Sequence, residues 1–130
     1  MKWKMWPVIL FGVIFLSACE DRSRTIHIAT KPMTEQFILG EMLSLLIENN
    51  TDYNVIITKG IGGGTSNIHP ALLKGEFDMY PEYTGTGWLV VLKKDTCPVH
   101  EELYPQLQKE YYEKYLSLIH ISEPTRQAEI

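Results

Sequence analysis

Apolar and polar residues alternate along Thr25-Ile26-His27-Ile28-Ala29-Thr30, the period of a half-buried strand, and Pro32 ends the run. The period then lengthens. Phe37, Ile38, Met42, Leu45 and Leu46 recur at helical spacing until Asn49-Asn50, which predicts a helix with one face toward a core. Thr34 is placed to cap it, and Glu35 falls in its first turn, where a carboxylate meets the positive end of the dipole. Residues 53–58, rich in β-branched side chains, read as a second strand. Strand, helix, strand in this order predicts a parallel pair with a right-handed crossover.

A glycine-rich turn at 60–64 leads through Thr65-Ser66 into Asn67-Ile68-His69-Pro70-Ala71-Leu72-Leu73-Lys74, with Gly75 placed to cap the C-terminus. Proline has no amide proton and fits a first turn, so this helix is predicted to begin near Ser66 or Asn67. Phe77-Asp78-Met79-Tyr80 alternates as a third strand, Pro81 ends it, and Glu82-Tyr83-Thr84-Gly85-Thr86-Gly87-Trp88 is expected to be a loop. In open parallel sheets ligands bind outside the carboxyl ends of the strands. The turns at Thr34, Thr65 and Tyr83 should therefore converge. Residues 89–92 and 101–115 look helical, separated by a polar loop at 93–98, and no internal repeat is evident.

Both ends of the chain stand apart from this pattern. Residues 1–19 carry Lys2 and Lys4, an apolar run to Leu16, then small residues, the layout of a secretory signal. The run falls short of the roughly 20 residues that cross a bilayer as a helix. Leu16-Ser17-Ala18-Cys19 resembles a bacterial lipobox, which makes 1–18 a lipoprotein signal peptide, Cys19 the lipidated residue and 19–24 a tether. Lipid chains bury methylenes at about 0.8 kcal/mol each and would hold the domain on the membrane surface. Cys97 is then left without an intramolecular partner and reads as a lone thiol. At the other end, Leu116-Ser117-Leu118-Ile119-His120-Ile121-Ser122-Glu123-Pro124-Thr125-Arg126 can be back-translated into a run that resembles a transposase sequencing adapter read in frame. Residues 116–130 are therefore expected to be adapter-derived, and 25–115 to be the folded part of a truncated chain.

Length and charge narrow the function. The 130 residues allow one modest domain, and 12 Lys plus Arg against 16 Asp plus Glu leave no basic footprint for nucleic acid. His27, His69, His100 and His120 stand far apart, with no metal-ligand pair of the HExxH kind. Ser66 lacks the glycine that a nucleophile elbow needs two residues later. The turn Gly60-Ile61-Gly62-Gly63-Gly64-Thr65-Ser66 lacks the Walker lysine, and Thr65 stands where a dinucleotide fingerprint needs glycine. Two readings of it stay open, a flexible connector with a helix cap and a carboxylate site at a helix start.

Tyr80, Tyr83 and Trp88 crowd around Pro81, Gly85 and Gly87 together with the hydroxyls of Thr84 and Thr86. A quaternary ammonium group has no N–H to donate, so proteins hold it with aromatic faces, each contributing about 0.5 to 2 kcal/mol. A helix start facing an aromatic loop would suit both ends of a small zwitterion.

Taken together, KPMTEQFILG at 31–40, GIGGGTS with HPALLKGEFD, and YPEYTGTGW at 80–88 resemble the glycine betaine, carnitine and choline binding proteins of ABC importers. The resemblance is close from Thr25 to about Leu92 and looser to Tyr115. It implies an α/β chain with the type II periplasmic-binding-protein fold, here its first lobe only, a parallel sheet with flanking helices. It further implies an extracytoplasmic lipoprotein on the outer face of the cell membrane, with ABC permease and ATPase subunits as partners, no enzymatic activity and no cofactor or metal. Gln36, Thr65, Ser66, Tyr83 and Thr86, with Tyr80 and Trp88, are the positions the match places along the ligand cleft. Gln36 and the hydroxyls would orient the polar end of the solute, and Tyr83 would offer a face to its ammonium group. Family members supply cage aromatics from both lobes, so a chain ending here would hold half a cage. The rival functions are a binding lobe for another small solute such as an amino acid, an enzyme lobe for a phosphate ligand, and a structural or sensory lipoprotein.

Overall fold

The computed structural model describes residues 24–118. The leader at 1–18, Cys19 and the tail beyond 118 lie outside the described residues. Among those described, no helix is long and apolar enough to cross a membrane.

The architecture is α/β. Strand β1 (Thr25–Ala29) pairs in parallel with β2 (Asn54–Thr58), from Thr25 opposite Asn54 to Ala29 opposite Thr58. Helix α1 (Thr34–Asn50) makes the crossover. Its cap position is Met33 rather than Thr34, with no side-chain cap, so Thr34 is instead the first helical residue.

The face that α1 turns inward differs from the one its apolar spacing predicts. Ile38, Met42, Leu45 and Leu46 are each more than half exposed, and the buried residues are Gln36, Gly40 and Ser44. Close approach decides this. A Cβ on Gly40 would come within 2.7 Å of Thr30 Cγ2, so the helix rests on the end of β1 at a point where only glycine fits without a shift. The helix is apolar on both sides, and periodicity alone does not choose between them.

Helix α2 (Thr65–Leu73) starts one residue before the predicted range, which puts Pro70 in its second turn rather than its first. Its end matches a Schellman motif. Gly75, at φ +76°, donates to Leu72 O at 2.9 Å, and Glu76 donates to Ala71 O at 3.0 Å.

The predicted third strand contracts to a single parallel bridge between Ile28 and Met79, with Ala29 N donating to Met79 O. Asp78 also turns its carboxylate onto the His27 amide at 2.7 Å, and Pro81 follows too soon for the ladder to continue. The expected loop at 82–88 is also partly helical. Thr84–Thr86 forms a helical turn, α3, that runs into a π-helical turn over Gly87–Val91.

Helix α4 (His100–Tyr115) then returns over that turn. Trp88, Val91 and Leu92 pack with Leu103, Leu107 and Tyr111, and Tyr115 lies against the cluster. A second apolar centre sits under the sheet at Ile28, Ala29 and Ile68, all fully buried.

Candidate functional site

The turns that follow β1, precede α2 and follow the Met79 bridge meet at one end of the sheet, and Glu82 joins them. Its Oε1 pairs with the Lys31 ammonium and accepts the Tyr83 amide at 2.8 Å, while Oε2 accepts the Thr65 hydroxyl at 2.6 Å. Lys31 is only 6% exposed, and its stem runs beside Gly64 into the glycine turn. That turn is shaped by backbone need. Gly63 has φ +77°, and a Cβ there would lie 2.3 Å from Asn67 Nδ2, which donates to Gly62 O.

Tyr83 is the exposed aromatic of the group. Its hydroxyl donates to Glu35 Oε2 at 2.8 Å, and the Lys31 ammonium lies 5.0 Å from its ring centroid. Gln36 next to it is fully buried, yet among the described residues neither its amide nitrogen nor its amide oxygen makes a well-formed hydrogen bond. The approach of the Gln36 amide, short of a well-formed hydrogen bond, pulls the Tyr83 pKa down, but the Glu35 hydrogen bond, with burial and the charges of Glu35 and Glu82, outweighs this and raises it. The phenol therefore stays protonated and can donate.

A second group lies between α2 and α4. His69 Nδ1 is 3.1 Å from the Tyr80 hydroxyl, and its ring meets Tyr111 and Tyr115 edge-on at 5.7 and 4.8 Å between centroids. Burial lowers the His69 pKa, Glu82 opposing and Lys114 adding to the shift. Burial raises that of Tyr80, with Tyr111, Glu82 and Tyr115 adding to it. His69 Nε2 and the Tyr111 hydroxyl are buried with no hydrogen-bond partner among the described residues.

The fold thus gathers Gln36, Thr65 and Tyr83 at one place. Ser66 is exposed on the first turn of α2, and Thr86 is half-buried at the end of α3. Tyr80 belongs to the histidine group instead. Trp88 is placed in the core rather than at this cluster, 5% exposed, with its indole N–H donating to Thr96 O at 2.6 Å.

Comparison with known proteins now bears on this geometry. Residues 24–126 match the model of the family described as the substrate binding domain of ABC-type glycine betaine transport system. The chain belongs to this family. Two relatives are similar to it. The ergothioneine transport permease/ergothioneine binding protein EgtU of Helicobacter pylori (strain G27) is 49% identical over 94 residues, 71% of this chain and 16% of that protein. The carnitine transport binding protein OpuCC of Listeria monocytogenes serotype 1/2a (strain 10403S) is 29% identical over 115 residues, 83% of this chain and 37% of that protein. The chain therefore spans well under half the length of these relatives. The strand-end cluster lies where open parallel sheets take ligands.

Sequence reasoning missed Lys31, Glu35 and Glu82 as members of that cluster. A signal for them existed. Lys31 and Glu82 carry opposite charges just past two segments that parallel pairing sets side by side, and both lie within the motifs that carry the family likeness.

Proposed function

We propose that this chain is the first lobe of an extracytoplasmic solute-binding lipoprotein that captures glycine betaine, choline or a related quaternary ammonium solute for an ABC importer. The carrying observation is Tyr83, 36% exposed and fixed by Glu35 and Glu82, beside the buried Gln36 amide, which has no well-formed hydrogen bond among the described residues. An ordered aromatic face is what a methylated ammonium group needs, and an unpaired amide is what a polar solute end would satisfy. The names of the two relatives, for ergothioneine and for carnitine, support a solute of this class.

In this reading Gln36, Tyr83 and Thr86 line the cleft on this lobe. Ser66 lies at its helix-start side, Thr65 acts through Glu82, and Tyr80 and Trp88 stand apart from it, in the histidine group and in the core. The role is binding and delivery to permease and ATPase subunits, with no chemical step. Cys19 carries the lipid anchor on the outer face of the membrane, residues 25–115 form the lobe, and the parent protein continues into a second lobe in place of residues 116–130.

Calorimetry on the parent protein, read from its uninterrupted gene, tests this. Heat of binding with betaine, choline, carnitine or ergothioneine is expected, and Tyr83→Ala should weaken it at least about tenfold. No heat with any of the four would sink the proposal.

A further inference from the structure

Lys31 poses a problem for a cation-binding site. Its ammonium is buried and sits 5.0 Å from the centroid of the Tyr83 ring, an aromatic that is itself 36% exposed. A cation on one face of a ring engages the same quadrupole that a second cation would use from the other side, and two bare cations across a ring repel. Glu82 removes the conflict. It places one oxygen on Lys31 and the Tyr83 amide and the other on the Thr65 hydroxyl, so donors from all three strand-end turns hold its carboxylate. With side-chain exposures of 7% and 15%, Lys31 and Glu82 form a screened-off neutral pair beneath the ring.

We propose that Glu82 is a positioning residue that sets the charge preference of the site by neutralising Lys31 beneath Tyr83. The inference rests on the reading of that site given above. With both charges present, the floor of the site is neutral and admits a solute carrying a lone positive charge. Without the carboxylate, the floor becomes a buried cation that repels ammonium groups and attracts carboxylates. Without the ammonium, it becomes an anion with the reverse preference. Burial amplifies both effects because solvent screens little there.

The two probes are choline, a cation, and glycine betaine, which has the same trimethylammonium head plus a carboxylate. The readout is the ratio of their affinities for the parent protein, measured by calorimetry. Glu82→Gln should lower choline relative to betaine by about tenfold, and Lys31→Gln should raise it by a similar factor. The double variant should return the ratio to that of the wild type, because removing both members of a buried ion pair leaves no unpaired charge. A role in folding alone would weaken both solutes together and leave the ratio unmoved. Opposite shifts in the two single variants support the proposal; an unchanged ratio, or shifts of the same sign, overturns it. If thermal melting shows one single variant unfolded, the other still carries a prediction of defined sign. A wild-type protein that binds none of choline, betaine, carnitine and ergothioneine would instead count against the reading of the site.

Discussion

Thr65, at the first turn of α2, donates its hydroxyl to Glu82 Oε2 at 2.6 Å and so fastens that helix to the loop that carries Tyr83. Replacing it with Val keeps the shape and leaves one carboxylate oxygen without this donor. Thr65→Val should cost about 1 to 3 kcal/mol of stability, and Thr65→Ser should restore most of it. Denaturant titration of the three proteins checks this, and equal stability of Val and wild type would show that the bond contributes nothing.

His69 should make stability depend on acidity. Its pKa is lowered in the folded chain, by burial first, so below the ordinary value of 6.5 the unfolded chain binds a proton that the folded one resists. Stability is therefore expected to fall as pH drops through 6.5 and to level off below the depressed folded value. Melting temperatures from pH 8 to pH 5 should show a slope that His69→Gln flattens. An unchanged slope in the variant would assign the effect to other groups.

Gly40→Ala inverts a familiar rule. Alanine ordinarily stabilises a helix interior by about 1 kcal/mol over glycine. At this position its Cβ would press within 2.7 Å of Thr30 Cγ2, so a net loss of about 1 to 3 kcal/mol is expected. Thr30→Ser removes the obstructing methyl and keeps the oxygen that accepts the Gly60 amide at 3.2 Å. Gly40→Ala should be better tolerated in that background, as a double-mutant cycle would measure.

Trp88→Ala should cost about 3 to 5 kcal/mol, because the indole fills the space between the π-helical turn and α4. Trp88→Phe, which loses mainly the bond to Thr96 O, should cost much less. Differential scanning calorimetry would separate the two.

The strands and the crossover were legible in the chain because alternation and β-branched residues leave few other structures for residues 25–29 and 54–58. The face of α1 was not. Its apolar residues run round the helix, and the choice of Gln36, Gly40 and Ser44 for the inner stripe depends on how closely Thr30 approaches, which no window of sequence contains. The convergence of Thr65 and Tyr83 followed from the strand-end rule and is what the fold shows. Trp88 misled for a local reason. Gly85 and Gly87 read as punctuation of a loop, whereas both are accommodated in helical turns that swing the indole inward. Lys31 and Glu82 escaped notice because their pairing links positions 51 residues apart.

That separation also orders events in time. The β1–α1–β2 unit closes within residues 25–58, whereas Lys31 meets Glu82 and Glu35 meets Tyr83 across 51 and 48 residues. Loop-closure entropy defers such distant pairings until the nearer ones have shortened the path between them. The cluster around Tyr83 is accordingly expected to form after the β1–α1–β2 unit and to be lost first when folding is only partial, as native-state hydrogen exchange would show.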